Sequence, residues 1–276
     1  MTKNGCVPLG GTEMNYAAFG SGSRTMAVLP GLSDGLATVN GKAWILSLPY
    51  RKYLRDYTVY LFSRKNDMPE GYTIRDMAND QVLAMKKLGL EQAYLLGVSQ
   101  GGMIAQCIAA DHPETVAKLV LAVTAPYAND TVRENVSHWI GMAERGDHTA
   151  LMTDTAERMY SEQYLRKNRR AFPLLARFTK PANYDRFLRN AHAILDFDLR
   201  GELEKISCPT LILAGSDDHT VGNDAAYELN RAIAGSELFV YDGLGHISIQ
   251  EITLNNSLEY LSLVFSIFPF FIFIAS

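Results

Sequence analysis

The sequence predicts an α/β protein: a mostly parallel, eight-stranded sheet flanked by helices, with an all-helical insertion after the sixth strand. Three observations lead there. Short apolar runs rich in Val, Ile, Leu and Tyr alternate with longer stretches of helical periodicity, which is the pattern of βαβ units. Residues 127–199 break that rhythm, carrying charged helical patterns and no buried-strand run. The chain has 276 residues, 47% apolar and 20% charged, enough for a sizeable core in one α/β domain with an insertion.

Taken in order, residues 6–9 and 13–19 flank Gly10-Gly11 and predict an antiparallel hairpin. "RTMAVLPG" and "YTVYLFSR" follow as strands, with "LPYRKYLRDY" between them as a helix. In "TIRDMANDQVLAMKKLGL" the apolar residues Ile74, Met77, Ala78, Val82, Met85 and Leu88 recur every three or four positions, and Gly89 supplies the stop. A strand over 93–98, a helix over 100–111 and the strand "VAKLVLAVT" come next. After the insertion, "CPTLILAGS" and "ELFVYDG" read as strands around the helix "NDAAYELNRAIAG", with a closing helix after 248. The domain boundaries are therefore a core over 1–126 and 200–276 and a helical insertion over 127–199.

Several function classes drop out on composition. A net charge of −4 gives no electrostatic basis for nucleic-acid binding. Cys6, Cys107 and Cys208 are scattered, so neither a disulfide framework nor a zinc site is expected and a reducing, cytoplasmic setting is the simpler one. The start "MTKNGCVPLGG" lacks the apolar stretch of a secretory signal. From Tyr260 to Ser276 there is no charge at all. As a helix this segment spans only about 25 Å, short of a ~30 Å hydrocarbon core, and Pro269 interrupts it. A terminus packed on this subunit or on another copy is expected over a membrane anchor. Arg166, Lys167, Arg169 and Arg170 are expected to form a solvated helix face.

The chemistry centres on "YLLGVSQGGMIAQ". Gly97-Val98-Ser99-Gln100-Gly101 is a Gly-x-Ser-x-Gly motif with a strand before and a helix after. A nucleophile on such a turn projects its Oγ away from the backbone, and the helix N-terminus behind it favours developing negative charge. A serine hydroxyl needs a base. Of His112, His138, His148, His192, His219 and His246, the last stands apart: "YDGLGHISIQE" places it just past the final strand, at the edge where parallel strands collect functional loops. His112 reads as a helix-end residue, His138 and His148 have no special setting, and His192 is expected on a helix surface. Asp217 and Asp218 end a strand at that same edge; one is expected to orient His246 and the other to bond local backbone, with Asp130 and Asp242 as weaker candidates. The backbone N–H groups of Leu32, in "LPGLSDG", and of Gln100 are the expected oxyanion-hole donors.

Across roughly residues 5–251 the chain resembles the α/β-hydrolase superfamily. "GVSQGGMIAQCIAADHP" is similar to esterases and enol-lactonases with a small helical cap, whose nucleophile segment commonly reads Gly-x-Ser-x-Gly-Gly-Met. The family's acid loop reads Gly-x-x-Asp, which, counted from Gly215, selects Asp218. Its last motif, Gly-His with Glu five residues later, falls on Gly245, His246 and Glu251. The resemblance implies a Ser99–Asp218–His246 triad, the family's chain order, and hydrolysis of a small carboxylic ester through an acyl-enzyme, without metal or organic cofactor. The same triad would also serve lactone or carbon–carbon bond hydrolysis, and a low-turnover ligand-binding protein could keep the fold. Two departures stand out: Pro30-Gly31 occupies the place of the His-Gly common in relatives, and the uncharged tail does not follow the family's mixed last helix. Trp139, Tyr160, Tyr164, Phe172 and Phe178 are expected mostly to pack the insertion.

Overall fold

The computed structural model describes residues 1–246. The closing helix expected after 248, Glu251 and the uncharged segment 260–276 lie outside the described residues. The chain runs β1 (Thr2–Leu9), β2 (Thr12–Gly20), β3 (Arg24–Leu29), α1 (Ala43–Leu46), β4 (Tyr57–Lys65), α2 (Ile74–Lys87), β5 (Ala93–Val98), α3 (Gln100–Asp111) and β6 (Val116–Ala122). Then come α4 (Asp130–Glu144), α5 (His148–Met159), α6 (Glu162–Asn168), α7 (Phe172–Thr179) and α8 (Asp185–Leu195), before β7 (Thr210–Gly215), α9 (Ala225–Ala232) and β8 (Glu237–Tyr241). The eight strands form one sheet in the order β1-β2-β4-β3-β5-β6-β7-β8. β1/β2 and β2/β4 are antiparallel and every later pairing is parallel.

Local chemistry explains the element ends. Gly10 and Gly11 have φ of +57° and +91°, the left-handed pair that lets a two-residue turn follow the strands' twist. α2 begins at a capping box, in which the Thr73 side chain accepts from the Asp76 N–H while the Asp76 carboxylate takes the Thr73 N–H. Its last turn carries Lys86 and Lys87, which suit the negative end of the helix. β5 is covered on both faces and α3 is buried along its whole length up to Ala110, as the central βα unit of a doubly covered sheet requires.

On one side of the sheet, Met77, Val82 and Met85 of α2 and Ile104 and Ile108 of α3 pack against Leu29, Leu95, Leu119 and Leu121. On the other, Ala43 and Leu46 of α1, with Tyr50, cover Phe19, Val28, Leu61, Leu96 and Val98. The expected helix over 48–57 is replaced by a 3-10 turn at Leu48–Tyr50 and further turns, preceded by the single-turn α1. The fully buried Tyr50 ring meets Phe19 at 4.9 Å, and docking it outweighs continuation of a helix over exposed, charged residues.

Between β6 and β7 the chain carries α4 to α8, and its two ends lie side by side. Tyr127 pairs with Asp198 as an antiparallel bridge, Ala128 N–H donates to Phe197 O at 2.9 Å, and Leu199 N–H to Pro126 O at 2.9 Å. No helix among the described residues is long and apolar enough to cross a membrane.

Candidate active site

Ser99 sits at the β5–α3 junction with φ +52° and ψ −121°, a conformation that an L-residue occupies at a cost of about 1–3 kcal/mol. The surroundings hold it there. Its N–H donates to Ala122 O at 2.9 Å, and its carbonyl accepts from Gly102 N–H and the Thr124 hydroxyl, both at 2.8 Å. The two motif glycines are needed for close approach. A Cβ on Gly97 would run into the Gly101 carbonyl and Gly102, and one on Gly101 would collide with the backbone of Leu29 and Pro30. Gly101→Ala is therefore expected to cost 1–3 kcal/mol or more, read as a lowered thermal midpoint.

His246 lies two turn glycines beyond β8 and is 1% exposed. Its Nδ1–H donates to Asp218 Oδ2 at 2.8 Å. The other carboxylate oxygen of Asp218 accepts from Thr220 N–H at 2.9 Å and Val221 N–H at 3.1 Å, so the side chain is clamped with one oxygen left for the imidazole. One carboxylate thus performs both jobs that the sequence divides between Asp217 and Asp218. Asp217 is exposed, and its N–H donates to Leu244 O at 3.0 Å. Asp130 is exposed in the first turn of α4, and Asp242 meets the Ser216 hydroxyl at 3.4 Å. Because the Asp218 bond keeps the proton on Nδ1, the Nε2 lone pair of His246 is free to accept. Nε2 has no hydrogen-bond partner among the described residues.

Ser99 and His246 line one cavity of about 80 Å³. A Cβ placed on Gly31 would lie 3.3 Å from the Ser99 Cβ, so the Gly31–Leu32 segment passes directly over the serine. Leu32 and Gln100 are the first residues of a 3-10 turn and of α3, positions whose N–H groups have no intrahelical acceptor. Ser33, Leu36 and Thr220 also line it, and the segment between β6 and β7 contributes Trp139 from α4, Leu151, Met152, Thr155 and Met159 from α5, and Phe187 from α8. Trp139 is oriented by donating Nε1–H to Asp154 Oδ2 at 2.8 Å. Among the described residues, no Lys or Arg side chain lines the cavity.

Other sequence candidates fall elsewhere. His192 is exposed, and His138 is half-exposed beside Asp154 at 3.7 Å. His148, unremarkable in sequence, is buried at the start of α5, its Nε2 3.1 Å from the Thr179 hydroxyl. Tyr160 and Phe172 pack together in a separate cluster, with Tyr164 against them, while Phe178 is 81% exposed. Arg169 pairs with Glu157 and Glu162 on the surface.

The residues that sequence reasoning missed form a buried charge network behind the cavity. Asp34 is fully buried; its Oδ2 accepts from Arg64 N–H at 2.9 Å and Arg186 Nη2 at 2.7 Å. Arg64 Nη2 donates to Pro30 O at 2.6 Å and Gln100 Oε1 at 3.0 Å, and Gln100 Nε2 donates to Asn190 O at 2.7 Å. Burial alone would raise the Asp34 carboxyl pKa, but Arg186, Arg64, the Arg64 N–H and the Ser63 hydroxyl together hold it below the usual range. Burial pushes the Arg64 guanidinium down to about 10 despite Asp34. In sequence, "LSDG" reads as a turn and "FSR" as a strand end, and nothing local pairs them across 30 and 152 positions. A carboxyl whose folded pKa is depressed stabilises the protein above its ordinary pKa of about 3.9 and loses that contribution as pH falls through the depressed value. Asp34→Asn should cost about 3–5 kcal/mol at neutral pH. The gap from wild type should narrow below about pH 4, checked by thermal unfolding across pH.

A model of the alpha/beta hydrolase fold family matches residues 60–251. The AB hydrolase superfamily protein YisY of Bacillus subtilis is 32% identical over 197 residues, covering 68% of this chain and 72% of that one. MGS-M2, an alpha/beta hydrolase enzyme from a Medee basin deep-sea metagenome library, superposes with a TM-score of 0.80 at 20% identity, over 94% of this chain and 95% of its own. The enol-lactonase from Burkholderia xenovorans LB400 gives 0.78 at 21% identity, over 91% and 96%. At these identities the structural matches speak to the fold alone.

Proposed function

The chain belongs to the alpha/beta hydrolase fold family, and from that premise we propose that it is a serine hydrolase of small, uncharged carboxylic esters, with Ser99 as nucleophile, His246 as base and Asp218 as its orienting acid. The observation that carries this reading is the buried imidazole, held by Asp218 at 2.8 Å, on the same cavity as a serine in a strained strand-to-helix turn. His246 takes the Ser99 proton as Oγ attacks the ester carbon. The N–H groups of Leu32 and Gln100 receive the oxyanion, each contributing about 3 kcal/mol to the barrier reduction. As the tetrahedral intermediate collapses, the alcohol leaves with the proton from His246, and water then cleaves the acyl-enzyme by the same route. The helices α4 to α8 act as a cap that closes the cavity and excludes bulk water.

Cavity size and lining point to the substrate class. An apolar cavity of 150 Å³ holds about one benzene, so 80 Å³ suits an acyl group of two to about four carbons. With no cation among the described lining residues, an acyl group bearing its own carboxylate would be buried without a partner from them, at several kcal/mol. Among p-nitrophenyl esters, kcat/KM is expected to peak between acetate and butyrate and fall at least ~10-fold by octanoate, about 1.4 kcal/mol. Met152→Ala should move the optimum to longer chains. A compact neutral lactone is the second reading, favoured because a ring ester keeps acyl and alcohol halves within one small volume. Comparing γ-butyrolactone with ethyl acetate decides between them. The test of the reading itself is fluorophosphonate labelling followed by peptide mapping: the adduct should sit on Ser99. Equal, low p-nitrophenyl acetate rates in wild type and Ser99→Ala would instead indicate a ligand-binding protein.

A further inference from the structure

The two oxyanion donors of the proposed reaction belong to different segments, the turn after β3 and the first turn of α3. Their separation matters, because donors must sit within about 2.7–3.1 Å of where the oxyanion forms. One buried side chain holds both segments. Arg64, 4% exposed, grips the Pro30 carbonyl at 2.6 Å, two residues before Leu32. The same Nη2 holds the side chain of Gln100 at 3.0 Å. The Gln100 amide is in turn oriented by Asn190 O, which takes its Nε2–H at 2.7 Å.

Arg64 is itself anchored on both sides of its backbone: its N–H bonds Asp34, and its carbonyl accepts from Arg186 Nη2 at 2.8 Å. Neutralising Asp34 does not account for the guanidinium. Arg186 already meets that carboxylate at 2.7 Å, whereas Arg64 Nη1 stands 3.9 Å away. The short bonds of the Arg64 head group go to the oxyanion segments instead. Arg64 is not among the described residues that line the cavity, and its head-group hydrogen bonds go to Pro30 and Gln100.

We propose that Arg64 is a positioning residue that sets the spacing between the Leu32 and Gln100 N–H donors, so that its effect falls on the transition state and not on substrate binding. This rests on the serine-hydrolase reading above. A planar fork is suited to hold two oxygens in fixed directions; a lysine ammonium keeps the charge but is a flexible point donor.

The experiment compares wild type, Arg64→Lys and Gln100→Met on a short-chain p-nitrophenyl ester and its matched thionoester, whose sulfur is a weak hydrogen-bond acceptor. Gln100→Met removes the side-chain grip while retaining the backbone N–H and the Asp34 ion pairs. In both variants kcat for the ester should fall about 10- to 100-fold with KM within about threefold, the loss expected of donors misplaced by up to an ångström. The ester-to-thionoester ratio should shrink by a similar factor. Unchanged kcat and ratio, or equal losses on ester and thionoester, would overturn the proposal, since a general structural defect slows both alike. If Arg64→Lys does not fold by circular dichroism, Gln100→Met alone decides. Absence of Ser99 labelling in the wild type would instead overturn the hydrolase reading, and the two failures are told apart by that measurement.

Discussion

Ser99→Ala should lower kcat for a short-chain ester by about 10⁴- to 10⁶-fold, leaving only what binding and the oxyanion donors provide. The loss is large because the proposed residues act as a unit: without the hydroxyl there is no acyl-enzyme, and the free Nε2 of His246 has no nucleophile to activate. KM should change little, since removing one oxygen takes almost nothing from an apolar wall built of Leu151, Met152, Met159 and Phe187. The measurement is steady-state hydrolysis together with loss of fluorophosphonate labelling. A stability counterpart comes from the backbone. The alanine variant retains a Cβ at φ +52°, so its midpoint should stay near wild type. Ser99→Gly releases the strain and should raise stability by about 1–2 kcal/mol while abolishing turnover. A glycine variant no more stable than the alanine variant would show that the turn costs nothing to hold.

Asp218→Asn is expected to lower kcat by about 10⁴-fold with the fold intact. The Thr220 and Val221 N–H groups occupy one oxygen of the native carboxylate and would hold the amide oxygen of the substituted side chain in the same way. That turns the amide NH₂ toward His246 Nδ1, which must then accept instead of donate. The imidazole proton moves to Nε2, and the nitrogen facing the cavity can no longer take a proton from Ser99. Kinetics give the size of the loss, and nitrogen NMR of His246 reports the tautomer directly. A loss below tenfold would mean that another group orients the histidine. Asp217 and Asp242 are the neighbours to test, although both are exposed.

What could be read without coordinates was local. The helix over 74–87 was legible from its apolar periodicity and from Gly89 as its stop. The β5–Ser99–α3 unit was legible because strand, glycines and helix all fall within a score of consecutive residues. The hairpin needed only Gly10-Gly11. The misses share a different character. Adjacent Asp217 and Asp218 have the same chemistry, and only the Thr220 and Val221 amides and the position of Leu244 send one inward and one out. Trp139 reaches the cavity and Phe178 faces solvent, yet both sit in amphipathic helices of similar pattern. The helix expected at 48–57 gave way to a tyrosine that found a ring 31 positions earlier in the chain to pack against.

The amino-acid sequence by itself determined the order of strands and helices, the family, and the turn on which Ser99 stands. Periodicity, capping and glycine placement act between near neighbours, so they are written in the order in which they are read. Tertiary structure decided which carboxylate meets His246, which apolar side chains bound an 80 Å³ cavity, and how Asp34 comes to be paired with Arg186 beside Arg64 inside the protein. Hydrophobic burial has no direction and an ion pair has no preferred sequence separation, so those contacts exist only once the sheet has brought distant segments to the same edge.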